Sequence, residues 1–329
     1  MMRRYLWHGL LVIVVLLFVL EIVLFLPRVM QVWQPYDYWQ YTQMGQAVRQ
    51  GHNPLGAGRF YPLPTILWIF VPLSLLPDWF RVVWVIAPFG FILLLFRRQA
   101  IPLFAFVPLW FVVGDGMLDS WLLLPLAWLV QNKPVWAGLG AALVLFKPQL
   151  AILAVMYALA YWFATRDWKN LGVFALAMTI FYVPAFIINP NWIAQMLAVV
   201  PERAAQTTAL LPTMTGSVWA WKELGRWGWL IVIVTLIAML AWGWRAWHAT
   251  KQRAAICQLF NLILNPILFG SNLVMALPTL RGPKPIVIVT GLSWLAFGLD
   301  KLIGNFGGGY ALIPLAALYF LSRENVGQI

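Results

Sequence analysis

The residues able to do chemistry in this chain are few, and they fall at breaks between apolar runs. Asp37, in Pro35-Tyr36-Asp37-Tyr38-Trp39, is the only acid between 29 and 62 and is bracketed by aromatic rings. A carboxylate placed there can cap the helix that follows, accepting its first amide hydrogens. It can equally serve as a general base that takes a proton from an acceptor hydroxyl, and the two roles do not exclude each other. Asp115 and Asp119 lie in Gly114-Asp115-Gly116-Met117-Leu118-Asp119. Four residues apart, they can share one helical face. They read either as a loop with a capping Asp or as a second acidic element that orients substrate hydroxyls or a divalent cation. As a metal site the pair is thin, because Mg²⁺ normally takes more oxygens or a substrate diphosphate.

The cations are equally sparse where they matter. Lys147, in Phe146-Lys147-Pro148-Gln149, stands alone between two apolar runs. Such a lysine either snorkels to the interface or holds an anionic group in a cavity. Arg59 precedes Phe60-Tyr61-Pro62 and suits a bidentate contact with a phosphate. Glu202 and Arg203 read as a solvated pair, with Arg203 a candidate for substrate contact. Glu21, inside the first apolar run, must face a polar cavity or a neighbouring helix.

The elements that would position these groups are membrane helices. Of 329 residues, 63% are hydrophobic and 10% are charged, against about 25% charged in soluble domains. Continuous apolar runs exclude the alternating pattern of a β-barrel, and in a bilayer such runs must be helical. The expected fold class is all-α: a polytopic helical membrane protein with about 10 to 13 membrane segments. After a first helix at 10–26, expected to remain uncleaved, the segments fall at 63–76, 82–96, 101–113, 117–130, 134–146, 150–164 and 171–188. Those at 229–247, 254–269, 271–280, 285–299 and 303–321 complete the set. Two polar-aromatic segments, 29–62 and 189–228, read as outer loops. The first of them contains an interfacial helix from Tyr38 to Gln50, stopped by Gly51. No repeat or linker divides the chain, so 1–329 reads as one domain.

The net charge of +12 sits mostly in short loops, as the positive-inside rule requires, and no contiguous basic face suggests nucleic acid. Counting from a cytoplasmic loop at 245–253 leaves one crossing too many between Pro62 and Arg97. Either one run there is re-entrant or Arg97-Arg98 break the rule. A single cysteine, Cys257, rules out an intrachain disulfide, and His8, His52 and His248 have no metal-ligand spacing. The many tryptophans fit interfacial belts.

In order, Asp37, Gly51-His52-Asn53-Pro54, Phe60-Tyr61-Pro62, Gly114-Asp115 and Lys147-Pro148-Gln149 resemble the polyprenyl-phosphomannose-dependent mannosyltransferases and their relatives in the GT-C superfamily. The resemblance covers about residues 1 to 165, with hydropathy alone beyond that. It implies a GT-C-like fold in a multi-pass cell-membrane protein with its active site on the extracytoplasmic side. It implies a polyprenyl-phosphate-linked sugar donor, a lipid or glycan acceptor, and Asp37 as the catalytic residue. Arg59, Tyr61, Lys147, Gln149, Asp115, Asp119, His52 and Arg203 are the residues expected to bind substrate. No cofactor is expected, although a divalent cation is compatible with Asp115 and Asp119. The pattern departs from the family where Tyr61-Pro62 is followed by Leu63-Pro64 and where Gly114-Asp115 replaces a Gly-Gln turn. The competing readings are a transporter or flippase of lipid-linked sugars and a non-catalytic subunit of a cell-envelope assembly.

Overall fold

A computed structural model describes residues 35–52, 61–198, 226–265, 270–303 and 307–323, with parts of 9–24. Among the described residues every regular element is a helix and none is a strand. Backbone groups that meet no water must pair within their own segment, and the long apolar runs do so. In chain order the α-helices are α1 (Tyr36–Arg49), α2 (Leu63–Leu73, with a π turn over Ile66–Phe70), α3 (Phe80–Phe96), α4 (Val107–Asp115) and α5 (Leu123–Val130). Then come α6 (Trp136–Val144), α7 (Ile152–Ala164), α8 (Trp168–Ile188), α9 (Trp192–Ala198), α10 (Arg226–Ala249), α11 (Arg253–Leu264), α12 (Pro283–Ile303) and α13 (Leu312–Leu321). Five 3-10 stretches are interleaved among the described residues: Arg97–Ala105, Leu118–Leu122, Pro148–Leu150, Gly270–Thr279 and Gly307–Ala311.

By length and composition four helical runs among the described residues could cross a membrane: Phe80–Ala105 (of which the part before Arg97 is the helix α3), Trp168–Ile188, Trp227–Ala249 and Pro283–Leu302. A fifth exists if Val107–Asp115 and Leu118–Val130, bent by 115° at their junction, count together. The expected segments thus divide into a few full-length spans and shorter apolar helices packed among them. The exposed faces of α3, α8, α10 and α12 carry residues such as Leu94, Ile187, Trp244 and Leu295, as a lipid-facing surface would.

Of the two apolar runs between Pro62 and Arg97, the first folds as α2, which is shorter than the length that crosses a bilayer. Its first turn is held where the Thr65 hydroxyl donates to the Phe146 carbonyl at 2.6 Å. Its last residues lie along α1, where Arg49 donates to the Ser74 carbonyl at 3.3 Å. α3 then leaves from the same end of the bundle, since the Trp84 indole donates to the Gly116 carbonyl at 2.8 Å. The helix in the run 63–76 rises only about 16 Å, against a hydrocarbon core of about 30 Å. At Arg97, whose φ is 52°, the chain reverses. The Phe89 and Phe104 rings lie 5.7 Å apart across that reversal, so Arg97–Ala105 folds back along α3 and leads into α4.

Close helix contacts come from small residues, which let backbones approach where no hydrophobic drive exists between lipid-solvated helices. Gly140 of α6 faces the Pro125 carbonyl of α5 so tightly that a Cβ there would lie 2.4 Å from the oxygen. On its other side α6 meets α8, where the Gly138 amide donates to Asn170 Oδ1 at 3.1 Å. Asp167 caps α8, accepting from the Asn170 amide at 3.2 Å.

Candidate functional site

The site begins with helix starts. Pro35, extended at φ −51° and ψ 124°, is the N-cap of α1, so Asp37 falls inside the first turn. The capping role expected for Asp37 is not the one it plays. Its carboxylate accepts instead from the Tyr41 hydroxyl one turn further on, at 3.2 Å. Tyr41 is fully buried, and its ring stacks on Phe70 with centroids 4.3 Å apart. Its oxygen also accepts from the Leu118 amide at 3.1 Å and lies 3.2 Å from the Tyr61 hydroxyl. Because the single Tyr41 proton goes to Asp37, Tyr61 is the donor in that last contact. One phenol thus ties α1, the strand of chain entering α2, and the turn after α4.

The second half of the site is a buried ion pair. Asp119, fully buried, accepts from Lys147 Nζ on one carboxylate oxygen and from Asn272 Nδ2 on the other. Asp115 and Asp119 do not share a helical face, which corrects the expectation drawn from their spacing. Gly116 between them adopts φ +66°, ending α4, and the chain bends so that the two acids sit on differently directed helices. Glycine suits this position twice over, because a Cβ would also lie 2.8 Å from the Pro35 side chain. Lys147 is likewise not the unpaired cation that its isolation in the sequence suggested.

A stripe of amides on α11 holds the Lys147 turn. Asn261 and Asn265 both donate to the Gln149 carbonyl, at 2.9 Å and 2.7 Å. Gln258 donates to the Leu150 carbonyl at 2.9 Å. The turn Pro148–Leu150 has backbone carbonyls that its own short 3-10 geometry cannot all satisfy, and α11 supplies the missing donors. The Gln149 side-chain oxygen is buried without a hydrogen-bond partner among the described residues.

Electrostatics join the two halves. Burial raises the Asp37 pKa to about 6; Lys147 opposes the rise, Asp115 and Asp119 add to it, and the Tyr41 hydrogen bond opposes it. Burial works against the charge on Lys147, but Asp119 outweighs it and holds the lysine pKa above its ordinary value. Burial, with Lys147 opposing, pushes the Tyr61 phenol up to about 12, so it stays a neutral donor. A carboxylate poised near neutrality can take a proton at physiological pH, as a general base must.

Asp37, Tyr61, Asp115, Asp119 and Lys147 are thus brought within one another's fields, and Gln149 sits on the same turn as Lys147. His52 is not brought in: it lies exposed just beyond the far end of α1, about 20 Å along the helix from Asp37. Gly51, with φ +77°, ends that helix as expected. Arg59 and the pair Glu202–Arg203 lie outside the described residues. Glu21 is fully buried, and neither of its carboxylate oxygens has a hydrogen-bond partner among the described residues. Sequence reasoning missed Tyr41, Asn272 and the α11 amides. Tyr41 sits one turn from Asp37, and residues 258, 261 and 265 form one polar stripe in an apolar run, so both signals were present. Asn272 carries no local mark. Comparison of the chain with protein-family models, with curated proteins and with solved structures yields no match.

Proposed function

We propose that this chain is an integral-membrane glycosyltransferase. It would move a sugar, mannose or a similar hexose or pentose, from a polyprenyl-phosphate donor to a lipid or glycan acceptor at the extracytoplasmic face. The observation that carries the reading is the Tyr41 hydroxyl, which joins Asp37 to Tyr61 and to the Leu118 amide beside the buried Asp119–Lys147 pair, residues from separate parts of the chain. Asp37 takes the proton of the acceptor hydroxyl. The freed oxygen bonds to the anomeric carbon, the bond from that carbon to the phosphate oxygen breaks, and the sugar inverts. Polyprenyl phosphate leaves with the electron pair. Tyr41 and Tyr61 fix the carboxylate, and Asp115 is assigned to the sugar hydroxyls.

The departing phosphate needs positive charge. Asp37, Asp115 and Asp119 outnumber Lys147, which is already paired, so Arg59 would hold the phosphate with Lys147 in support. A divalent cation held jointly by a carboxylate and the donor phosphate is the alternative source of that charge. The position of the cluster at one end of the bundle favours a one-sided transferase over a path that opens alternately to two sides.

The test is sugar transfer by the purified full-length protein from a polyprenyl-phosphate mannose donor, with and without EDTA. Turnover that Asp37→Asn abolishes supports the reading. An Asp37→Asn protein as active as the parent would remove Asp37 as the base. Loss of turnover in EDTA, restored by Mg²⁺, would assign the phosphate charge to a metal rather than to Arg59.

A further inference from the structure

A cavity lies toward the other end of the bundle from Asp37. From Asn272, beside Asp119, the 3-10 stretch Gly270–Thr279 runs away at about 2 Å per residue. It ends at a cavity of about 510 Å³ whose lining includes Thr279, Arg281, Lys284, Tyr319 and Arg323. That volume falls in the range of small-ligand sites, about 300–1,000 Å³. The three cations are exposed at its rim, while Thr279 and Leu321 are buried at its floor. The Arg323 guanidinium lies 5.3 Å from the Tyr319 ring centroid, which holds it over the opening. Among the described residues no carboxylate lies within ion-pair distance of Arg281, Lys284 or Arg323.

Basic residues in short membrane loops ordinarily lie against headgroups on a flat face. Here they converge on a cavity from two elements far apart in sequence, the turn before α12 and the end of α13. The other cations at this end, among them Lys133, Arg166, Lys251 and Arg253, lie elsewhere and do not line the cavity.

We propose that this cavity binds a phosphate group, carried by an anionic phospholipid headgroup or by a soluble phosphate ester. Arg281 and Arg323 contact the oxygens in planar, forked fashion and Lys284 contributes a point charge. The floor of Leu280, Ala317 and Leu321 offers apolar surface to the glycerol backbone of a lipid. This site is independent of the chemistry assigned to Asp37.

The experiment uses full-length protein in nanodiscs of mixed phosphatidylcholine and phosphatidylglycerol, with retained lipid read by native mass spectrometry on release. The expected result is selective retention of phosphatidylglycerol, weakened on the order of five-fold for each cation removed. Lys284→Gln, at an exposed position, should show one such step. Arg281→Gln/Lys284→Gln/Arg323→Gln should reach the phosphatidylcholine level, with size-exclusion elution and tryptophan emission unchanged as the control for folding. A parallel arm adds inorganic phosphate to lipid-depleted protein in detergent and follows the thermal midpoint. Saturable protection by phosphate in the parent, absent in Lys284→Gln, with no lipid preference, assigns the site to a soluble phosphate. Lipid preference without phosphate protection assigns it to a headgroup. The proposal is overturned if Lys284→Gln and the triple variant match the parent in both arms, or if the parent shows neither effect.

Discussion

Asn272 and Lys147 hold opposite oxygens of one buried carboxylate, that of Asp119. The carboxylate is therefore saturated from two elements, the Pro148 turn and the 3-10 stretch after α11, and its charge is matched inside the bundle. A lysine so engaged can assist an incoming phosphate only by sharing itself.

Removing one member of that pair leaves the other charged and buried. Asp119→Asn is expected to destabilise the fold by about 3–5 kcal/mol, and Lys147→Met by a similar amount. The double variant should cost clearly less than the two singles together, because no orphan charge remains. Chemical unfolding in micelles, followed by tryptophan emission, measures all three. Additive losses would mean that the pair is not coupled.

The pH dependence of turnover should report Asp37. A base works only when deprotonated, so activity should rise with pH through about 6 rather than through the ordinary carboxylate range. Stability should move the other way. The folded carboxyl keeps its proton to higher pH than the unfolded one, so the contribution of this group falls as pH rises from about 4 to about 6. Tyr41→Phe deletes a hydrogen bond that lowers the Asp37 pKa, and the rising limb should shift upward. An unmoved limb in Tyr41→Phe would separate the two residues.

Asn261 and Asn265 share one acceptor, the Gln149 carbonyl. Asn261→Leu or Asn265→Leu alone should cost about 1 kcal/mol, since the carbonyl keeps a donor. Together they strand it, and the loss should exceed the sum. Turnover should fall more than stability if the turn positions Lys147 for chemistry; equal falls would make the stripe purely structural.

Gly116→Ala meets both a left-handed backbone and the Pro35 side chain. A loss of about 1–3 kcal/mol is expected, read as a lower thermal midpoint. Gly51→Ala, also at positive φ but in open space, should cost less.

How far the sequence led depends on what each signal was. The helical segments were legible because apolar runs are long and their breaks are marked by Gly, Pro and charge, as at Gly51 and Pro148. The 254–269 segment was read too long: α11 ends at Leu264, where Asn265 turns its side chain to Gln149. Asp37 and Lys147 stood out as isolated charges, and the fold sets them in one field. What spacing could not supply was direction. The four-residue interval from Asp115 to Asp119 implied a shared face only if the helix continued, and one left-handed glycine redirects it. Partners contributed across long sequence separations, such as Asn272 on Asp119, leave no local trace at all.

The described charges are unevenly shared between the two ends of the bundle. Around Asp37 carboxylates outnumber cations, whereas at the Arg281 end Asp167 stands among Arg97, Arg98, Lys133, Arg166, Lys169, Arg245, Lys251, Arg253, Lys284 and Arg323. The described residues consequently carry a charge asymmetry from one end of the bundle to the other. An inverted copy would have to carry that cationic end through the bilayer against a potential worth about 2.3 kcal/mol per charge per 100 mV. A copy seated with that end on the negative side is therefore the one expected to persist in an energised membrane.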